Sequence, residues 1–287
     1  MPSVCVGCAT GCNSFTDYDP RDQTVHRYRP RENLAVNKYW MCDDGMLDYQ
    51  RIHADRVLSG GTKGEGGGVR AALARAAKLF SGANPEQIAV VLSAQHSNED
   101  NFALLTLARD FLGTGNLFIS GKPDGLADYV LRHSDKNPNT AGVVSLCTTQ
   151  PPKTFTELAD NLASFSHVLA LGSYAGNPEA APKLEGVQKL VALATHEGPL
   201  SAHAQVVLPV SSWAESDGTF VNAQGMAQES ERAISPRGDS QPAWKMIAAL
   251  ARALGHELGY KKLADVRRAM APEAGASVAE PLQTGAE

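Results

Sequence analysis

The chain has 287 residues, with 26 basic and 31 acidic side chains and a net charge of −5. That length buries a real core, so one large domain with a small appendage is expected. The mild acidity and the lack of a basic stripe exclude nucleic-acid binding as a main role, and no apolar run approaches the roughly 18 residues of a spanning helix.

The chemistry is concentrated at the start. Cys5, Cys8, Cys12 and Cys42 form the pattern C-x2-C-x3-C-x29-C and account for four of the five cysteines. Three thiolates on one loop can reach three corners of an inorganic cube, and the distant fourth closes the last corner. All-cysteine ligation suits one 4Fe–4S cluster, and Gly7 and Gly11 let the backbone come close. Structural zinc prefers two facing C-x2–4-C hooks, which this spacing fits poorly. A zinc-stapled interaction module stays open as an alternative. Cysteines grouped this way also favour a reducing compartment over a disulfide framework, and Met1-Pro2-Ser3-Val4-Cys5 has no signal-peptide character.

Thr24 to Arg29 alternates like a small antiparallel strand, and Asp19 to Asp22 reads as a turn. Residues 1–58 are therefore expected to be a cluster-binding subdomain. The Gly-rich stretch 59–68 lacks any phosphate-loop spacing and reads as a linker. Beyond it strands and helices alternate. Val69, Leu73, Ala76 and Phe80 mark one helix face, and Ile88–Leu92 is an apolar run typical of a strand buried on both faces. Ser97-Asn98-Glu99-Asp100 opens a helix with capping-box form. Leu117–Ile119 and Val143–Leu146 read as further strands, Thr154–Glu157 as a second capping box, and Val168–Leu171, Leu190–Leu193 and Val206–Pro209 as buried strands. Thr219–Asn222 reads as a turn-bounded extended element, and Pro242 opens a helix carrying Trp244, Ile247, Ala251 and Leu254 inward. Residues 69–269 thus form an α/β domain with a mostly parallel, doubly wound, Rossmann-like sheet. Residues 270–287 read as a disordered tail.

Pro2–Asn13, Tyr28–Asn33 and Val36–Asp43 resemble the iron–sulfur segment that opens the molybdopterin-oxidoreductase-like part of the large peripheral-arm subunit of complex I, the NADH–quinone oxidoreductase. The likeness includes the residues between the cysteines. Ser134–Thr140, Val206–Pro209 and Ala214–Gly225 resemble further stretches of the same complex I component. The resemblance implies an iron–sulfur electron-transfer and scaffold subunit, without turnover as an isolated chain. Its partners would be other Fe–S and flavin subunits, and its place the cytoplasmic face of the membrane, held there peripherally through the complex. A compact molybdenum- or tungsten-pterin oxidoreductase fragment is the enzymatic alternative.

No molybdopterin is expected on this reading. Many catalytic relatives carry a lysine two residues after the fourth cluster cysteine, where this chain has Asp44, and Cys147 lacks the context of a metal-ligating cysteine. Cys147 reads as a core thiol. His196, Glu197 and His203 read as solvated loop residues, lacking H-E-x-x-H geometry. His96 follows the first buried strand at its carboxyl end, where open α/β sheets bind ligands.

Overall fold

A computed structural model describes residues 1–62, 67–128, 130–176, 178–187 and 189–274. The N-terminal lobe is a three-stranded antiparallel sheet of β1 (Pro2–Val4), β2 (Asn13–Asp19) and β3 (Thr24–Pro30). Asp19 and Asp22 shape the β2–β3 turn by accepting backbone hydrogen bonds from Arg21 and Thr24. A short helix, α1 (Asp43–Leu47), and a 3-10 turn over Asp48–Ile52 complete the lobe.

The main sheet is seven-stranded. Its strands are β4 (Gly61–Thr62), β5 (Ile88–Ser93), β6 (Leu117–Ser120), β7 (Lys153–Thr154), β8 (His167–Leu171), β9 (Leu190–Ala194) and β10 (Val206–Pro209), in the order β4-β10-β9-β8-β5-β6-β7. All are parallel except β4, which pairs antiparallel with the start of β10. Counting from β5, the six parallel strands have the doubly wound order 3-2-1-4-5-6, and the chain reverses direction across the sheet between β5 and β8.

Alternation of side chains explains why these strands are apolar throughout. Val90, Leu92, Leu169, Leu171, Val191 and Leu193 point to one face. There they meet α2 (Gly68–Phe80), α3 (Asn98–Thr106) and two later helices, α7 (Ala243–Ala253) and α8 (Leu263–Ala274). Ala89, Val91, Val168, Ala170, Leu190 and Ala192 point to the other. They pack on α5 (Phe155–Asp160), α6 (Pro199–His203) and a 3-10 segment, Pro178–Gly186. A hairpin of β11 (Gly218–Val221) and β12 (Ala227–Ser230) reaches back to the N-terminal lobe, where Ser230 and Ser3 hydroxyls share a hydrogen bond of 3.1 Å.

Three expectations need correcting. Val143–Leu146 is not a strand but part of a helix, α4 (Thr140–Leu146), burying Val143 and Leu146 while Val144 stays 44% exposed. Gly61 and Thr62 belong to the sheet rather than to a linker, and Gly68 already opens α2; residues 63–66 lie outside the described ones. Helix α8 runs to Ala274, into the expected tail, of which 275–287 lies outside the described residues.

The lobe is fastened to the carboxyl edge of the sheet by a buried ion pair. Arg56 donates to Glu215 through both terminal nitrogens at 3.0 and 2.7 Å, and also to the carbonyls of Ile52 and Thr195 at 3.0 Å each. Both side chains are almost wholly buried, at 2% and 0% exposure. Removing one partner strands the other charge, which costs about 3–5 kcal/mol. Arg56→Met should lower the unfolding free energy by about that much in urea titrations. The double variant Arg56→Met/Glu215→Met should recover much of the loss.

Candidate functional site

The four cysteines are held by backbone geometry. Cys5, Cys8 and Cys12 occupy the β1–β2 loop, which the Cys5 amide closes by donating to the Cys12 carbonyl at 2.8 Å. Ala9 ties the loop outward, donating to Asp135 and accepting from Ala223. Gly11 sits at φ +62°, and a Cβ there would lie 2.8 Å from the Gln228 amide nitrogen, so both backbone and neighbours require glycine. Cys42 caps α1, its sulfur accepting the Gly45 amide at 3.4 Å, and the Cys5 sulfur accepts the Gly7 amide at the same distance.

The sulfurs converge without collapsing. A Cβ on Gly45 would lie 3.0 Å from Cys5 Sγ and 3.5 Å from Cys42 Sγ, so those two sulfurs face one small space. Among the described residues, however, no three cysteine sulfurs lie within 4.8 Å of one another. Tetrahedral zinc, with Zn–S near 2.3 Å, would draw them to about 3.8 Å. In this structure the sulfurs are not drawn within 4.8 Å onto one point. The one trio among the described residues that does meet that spacing, Asp19, Asp22 and His26, lies on the β2–β3 turn with Asp22 and His26 exposed, and its carboxylates already serve that turn.

Electrostatics opposes free thiolates here. Burial pushes the Cys5 thiol well above its usual range, reinforced by charge on Cys12, Asp48 and Cys8. Cys12 is pushed up to about 12, first by burial and then by charge on Cys8 and Cys42. Four thiolates can coexist here only with a compensating cationic centre, which a metal core supplies.

Facing this lobe, at the point where strand order reverses between β5 and β8, a crevice opens along the carboxyl edge of the sheet. It is lined by Arg51, His96, Tyr174, His196, Ser211, Ser212 and Trp213, among others, with Asp217 and Gly218 toward β11. Its empty space is about 550 Å3 counting the mouth, of which about 40 Å3 admits a water-sized body, so it is narrow as folded. The Ser211 and Ser212 hydroxyls are buried, at 6% and 1% residue exposure, and neither has a hydrogen-bond partner among the described residues. Burial holds His96 at about 4, with the charge of His196 adding to the effect. His196 is also at about 4 through burial, opposed by its hydrogen bond to the Arg51 carbonyl. Both rings are neutral at pH 7. Asp100 is raised to about 6 by burial, while Ser97 and the Trp244 amide hold its charged form.

Arg51 joins the two halves. It makes a two-pronged bond to Asp48 at 2.9 and 3.0 Å, donates to the Tyr174 hydroxyl at 2.9 Å and lies 4.6 Å over the Trp213 ring. Trp213 in turn donates to the Tyr28 hydroxyl at 2.5 Å, and Tyr28 shares a core with Cys5 and Cys12.

His96 lines the crevice, as its position after β5 predicts. His196 is not a solvated loop residue: it is 8% exposed and packs on Trp213. Glu197 is exposed and His203 half-buried, and neither lines the crevice. Cys147 lies in the main core at 4% exposure. Asp44 points outward at 74% side-chain exposure and pairs with Arg132 at 3.4 Å, so its charge is screened and partly neutralised. The argument that Asp44 disfavours an anionic cofactor therefore fails. Arg51, Tyr174, Ser211, Ser212 and Trp213 carry no motif; all but Arg51, which lies in the 3-10 turn after α1, are signalled only by polar or aromatic character shortly after a buried strand's carboxyl end.

Residues 88–253 match the family model described as Molybdopterin oxidoreductase. A protein of Staphylococcus aureus (strain USA300), named "Putative formate dehydrogenase", is 41% identical over 66 residues, 23% of this chain and 7% of that protein. Its counterpart from strain MRSA252 is 39% identical over the same length. The matched segment is thus a small part of those relatives. Acetylene Hydratase from Pelobacter acetylenicus shares the fold, with a TM-score of 0.69 at 12% identity, covering 96% of this chain and 72% of that one. These findings support the molybdopterin superfamily and not the complex I component in particular. The expectation of no molybdopterin is overturned, because the family match points to a molybdopterin cofactor.

The buried histidines give a pH test. Each has its folded pKa below the ordinary 6.5, so its contribution to stability is complete above that pH and is lost as pH falls toward 4. Asp100, raised from 3.8, acts in the opposite sense and offsets part of this. The urea midpoint of the metal-free chain should fall from pH 6.5 to 4, and less steeply in His96→Gln.

Proposed function

This chain belongs to the molybdopterin oxidoreductase family, and we propose that it carries the iron–sulfur cluster and one wall of the pterin site of a molybdenum- or tungsten-pterin oxidoreductase. Cys5, Cys8, Cys12 and Cys42 hold one 4Fe–4S cluster. The observation that carries the reading is the pairing of four cysteines gathered about one loop and the start of α1 with a switch-point crevice containing two buried hydroxyls that have no partner among the described residues. The donor set fits a polar heterocycle, although a ring seated there must spread the narrow walls.

When bound, the metal–pterin group supplies oxidation–reduction at the substrate and the cluster carries single electrons. The chain's own residues bind and orient. Ser211 and Ser212 offer hydroxyls to a ring edge, and neutral His96 and His196 add hydrogen-bonding nitrogens without charge. Arg51 fixes Tyr174 and Trp213 between cluster and crevice, where their rings exclude water. The relatives' name makes formate the first substrate to test. Because the matched segment is so small a part of those relatives, the activity is assigned to a larger assembly.

A second reading, an electron-transfer subunit of the complex I type working with flavin and Fe–S partners, is supported by the residues between Tyr28 and Asp43. Among the described residues no helix is long and apolar enough to cross a membrane, so membrane association on this reading would run through the partners. Co-purification from native extract separates the two readings.

Protein made anaerobically with molybdate and tungstate should contain about four irons with acid-labile sulfide, and a pterin released by oxidation. Cys42→Ala should lose the cluster and Cys147→Ala keep it. Ser211→Ala/Ser212→Ala should lower pterin content at unchanged iron. Stoichiometric zinc without sulfide would overturn the cluster assignment, and pterin content unaffected by the serine changes would overturn the crevice assignment.

A further inference from the structure

Lys122 sits just beyond the carboxyl end of β6, on the edge of the sheet that faces the cysteine lobe. Its backbone is pinned on both sides by one side chain: the Lys122 amide donates to Asn137 Oδ1 at 2.7 Å, and Asn137 Nδ2 donates to the Lys122 carbonyl at 3.0 Å. Asn137 is itself buried, and it accepts a further bond from Gln95 at 2.8 Å. The loop that launches the lysine is therefore fixed.

The side chain runs inward. Its ammonium lies 5.9 Å from the centre of the Tyr174 ring, whose hydroxyl is held by Arg51. Among the described residues no carboxylate comes within ion-pair distance of it. The nearby Asp48 is already taken by both prongs of Arg51. A half-buried ammonium with a cationic neighbour and no acidic partner is costly. Accordingly Lys122 is pushed down to about 8, by burial and then by Arg51, while Asp48, Cys5 and Cys8 pull it back up. Asn137 also donates to the Asp135 carboxylate at 2.6 Å, and the Asp135 carbonyl accepts the amide of Ala9, next to Cys8, at 2.9 Å, so the lysine's loop abuts the cysteine loop.

We propose that Lys122 is a positioning charge for the cluster: its ammonium, placed between the Cys5–Cys8 loop and the Tyr174 wall of the crevice, stabilises the reduced cluster and raises its potential. The physical reason is Coulombic. Reduction adds one negative charge to the cluster, and a fixed cation in a partly desolvated site favours the more negative state. Arg51 contributes less, because Asp48 cancels most of its charge. Among the described residues, Lys122 keeps its charge without an ion-pair partner.

The inference rests on the cluster assignment above, and its test separates the two. Wild type, Lys122→Met, Lys122→Gln and Lys122→Arg are prepared anaerobically and analysed for iron and sulfide. The cluster is then titrated electrochemically at pH 6, with reduction followed by electron paramagnetic resonance. Lys122 is charged at that pH. Lys122→Met should keep wild-type iron content and a similar signal, but be at least tenfold more oxidised at the wild-type midpoint. For a one-electron couple that is a shift of about 59 mV to lower potential. Lys122→Arg should return the midpoint to near the wild-type value. Should the methionine variant fail to hold a cluster, the glutamine variant carries the same comparison. An unchanged midpoint in the neutral variants, or an equal fall in the arginine variant, would overturn the role of Lys122. Wild type without iron and sulfide would instead overturn the cluster assignment itself.

Discussion

Everything at the site depends on the Arg56–Glu215 pair. Burying both charges is tolerable because all three guanidinium nitrogens of Arg56 donate, to Glu215, Ile52 and Thr195, and because Glu215 also accepts the Ser212 amide. The same pair therefore fixes two things. It locks the segment after the fourth cysteine onto the end of β9, and it sets the backbone that presents Ser211 and Ser212 to the crevice. Neighbouring contacts repeat the stitch: Val57 bonds to Thr195, and Glu197 to Asp55. A cysteine lobe and a Rossmann-like sheet, each able to form from its own pattern, are thereby held in one relation.

That relation places aromatic and cationic groups where cluster and crevice meet. Trp213 bonds to Tyr28 on the cysteine side and packs on His196 on the crevice side. Arg51 spans the same gap between Asp48 and Tyr174. The space between the cysteine lobe and the crevice is thus filled by packed side chains. Because His96 and His196 are neutral, the crevice wall carries little titratable charge at neutral pH beyond Arg51 and the acids Asp100 and Asp217.

The sheet was legible in the sequence because a strand buried on both faces must be apolar at every position, as Ile88–Leu92 and Val168–Leu171 are. Capping was legible for the same kind of reason: the hydroxyls of Ser97 and Thr154 accept the amides three residues on, as their spacing predicts. Val143–Leu146 misled because so short a stretch, three apolar residues and Ser145, is compatible with either period, and only the burial of positions three apart reveals the helix. His196 misled because its partner, the Arg51 carbonyl, is 145 residues away in sequence. Ser211 and Ser212 were invisible, since serine after a strand is ordinary and only the fold shows that their hydroxyls have no partner. Asp44 was visible but misjudged, because a sequence position does not say which way a carboxylate points.

The central claim is that four cysteines hold a polynuclear iron centre beside the switch-point crevice. Anomalous diffraction from anaerobically grown crystals, collected at the iron and zinc edges, tests it most directly. The account predicts a single compact iron site bridging Cys5, Cys8, Cys12 and Cys42, on the side of the lobe facing Tyr174 and Trp213. A lone zinc in a contracted tetrahedron of those sulfurs, or iron bound elsewhere with the four cysteines unligated, would contradict it.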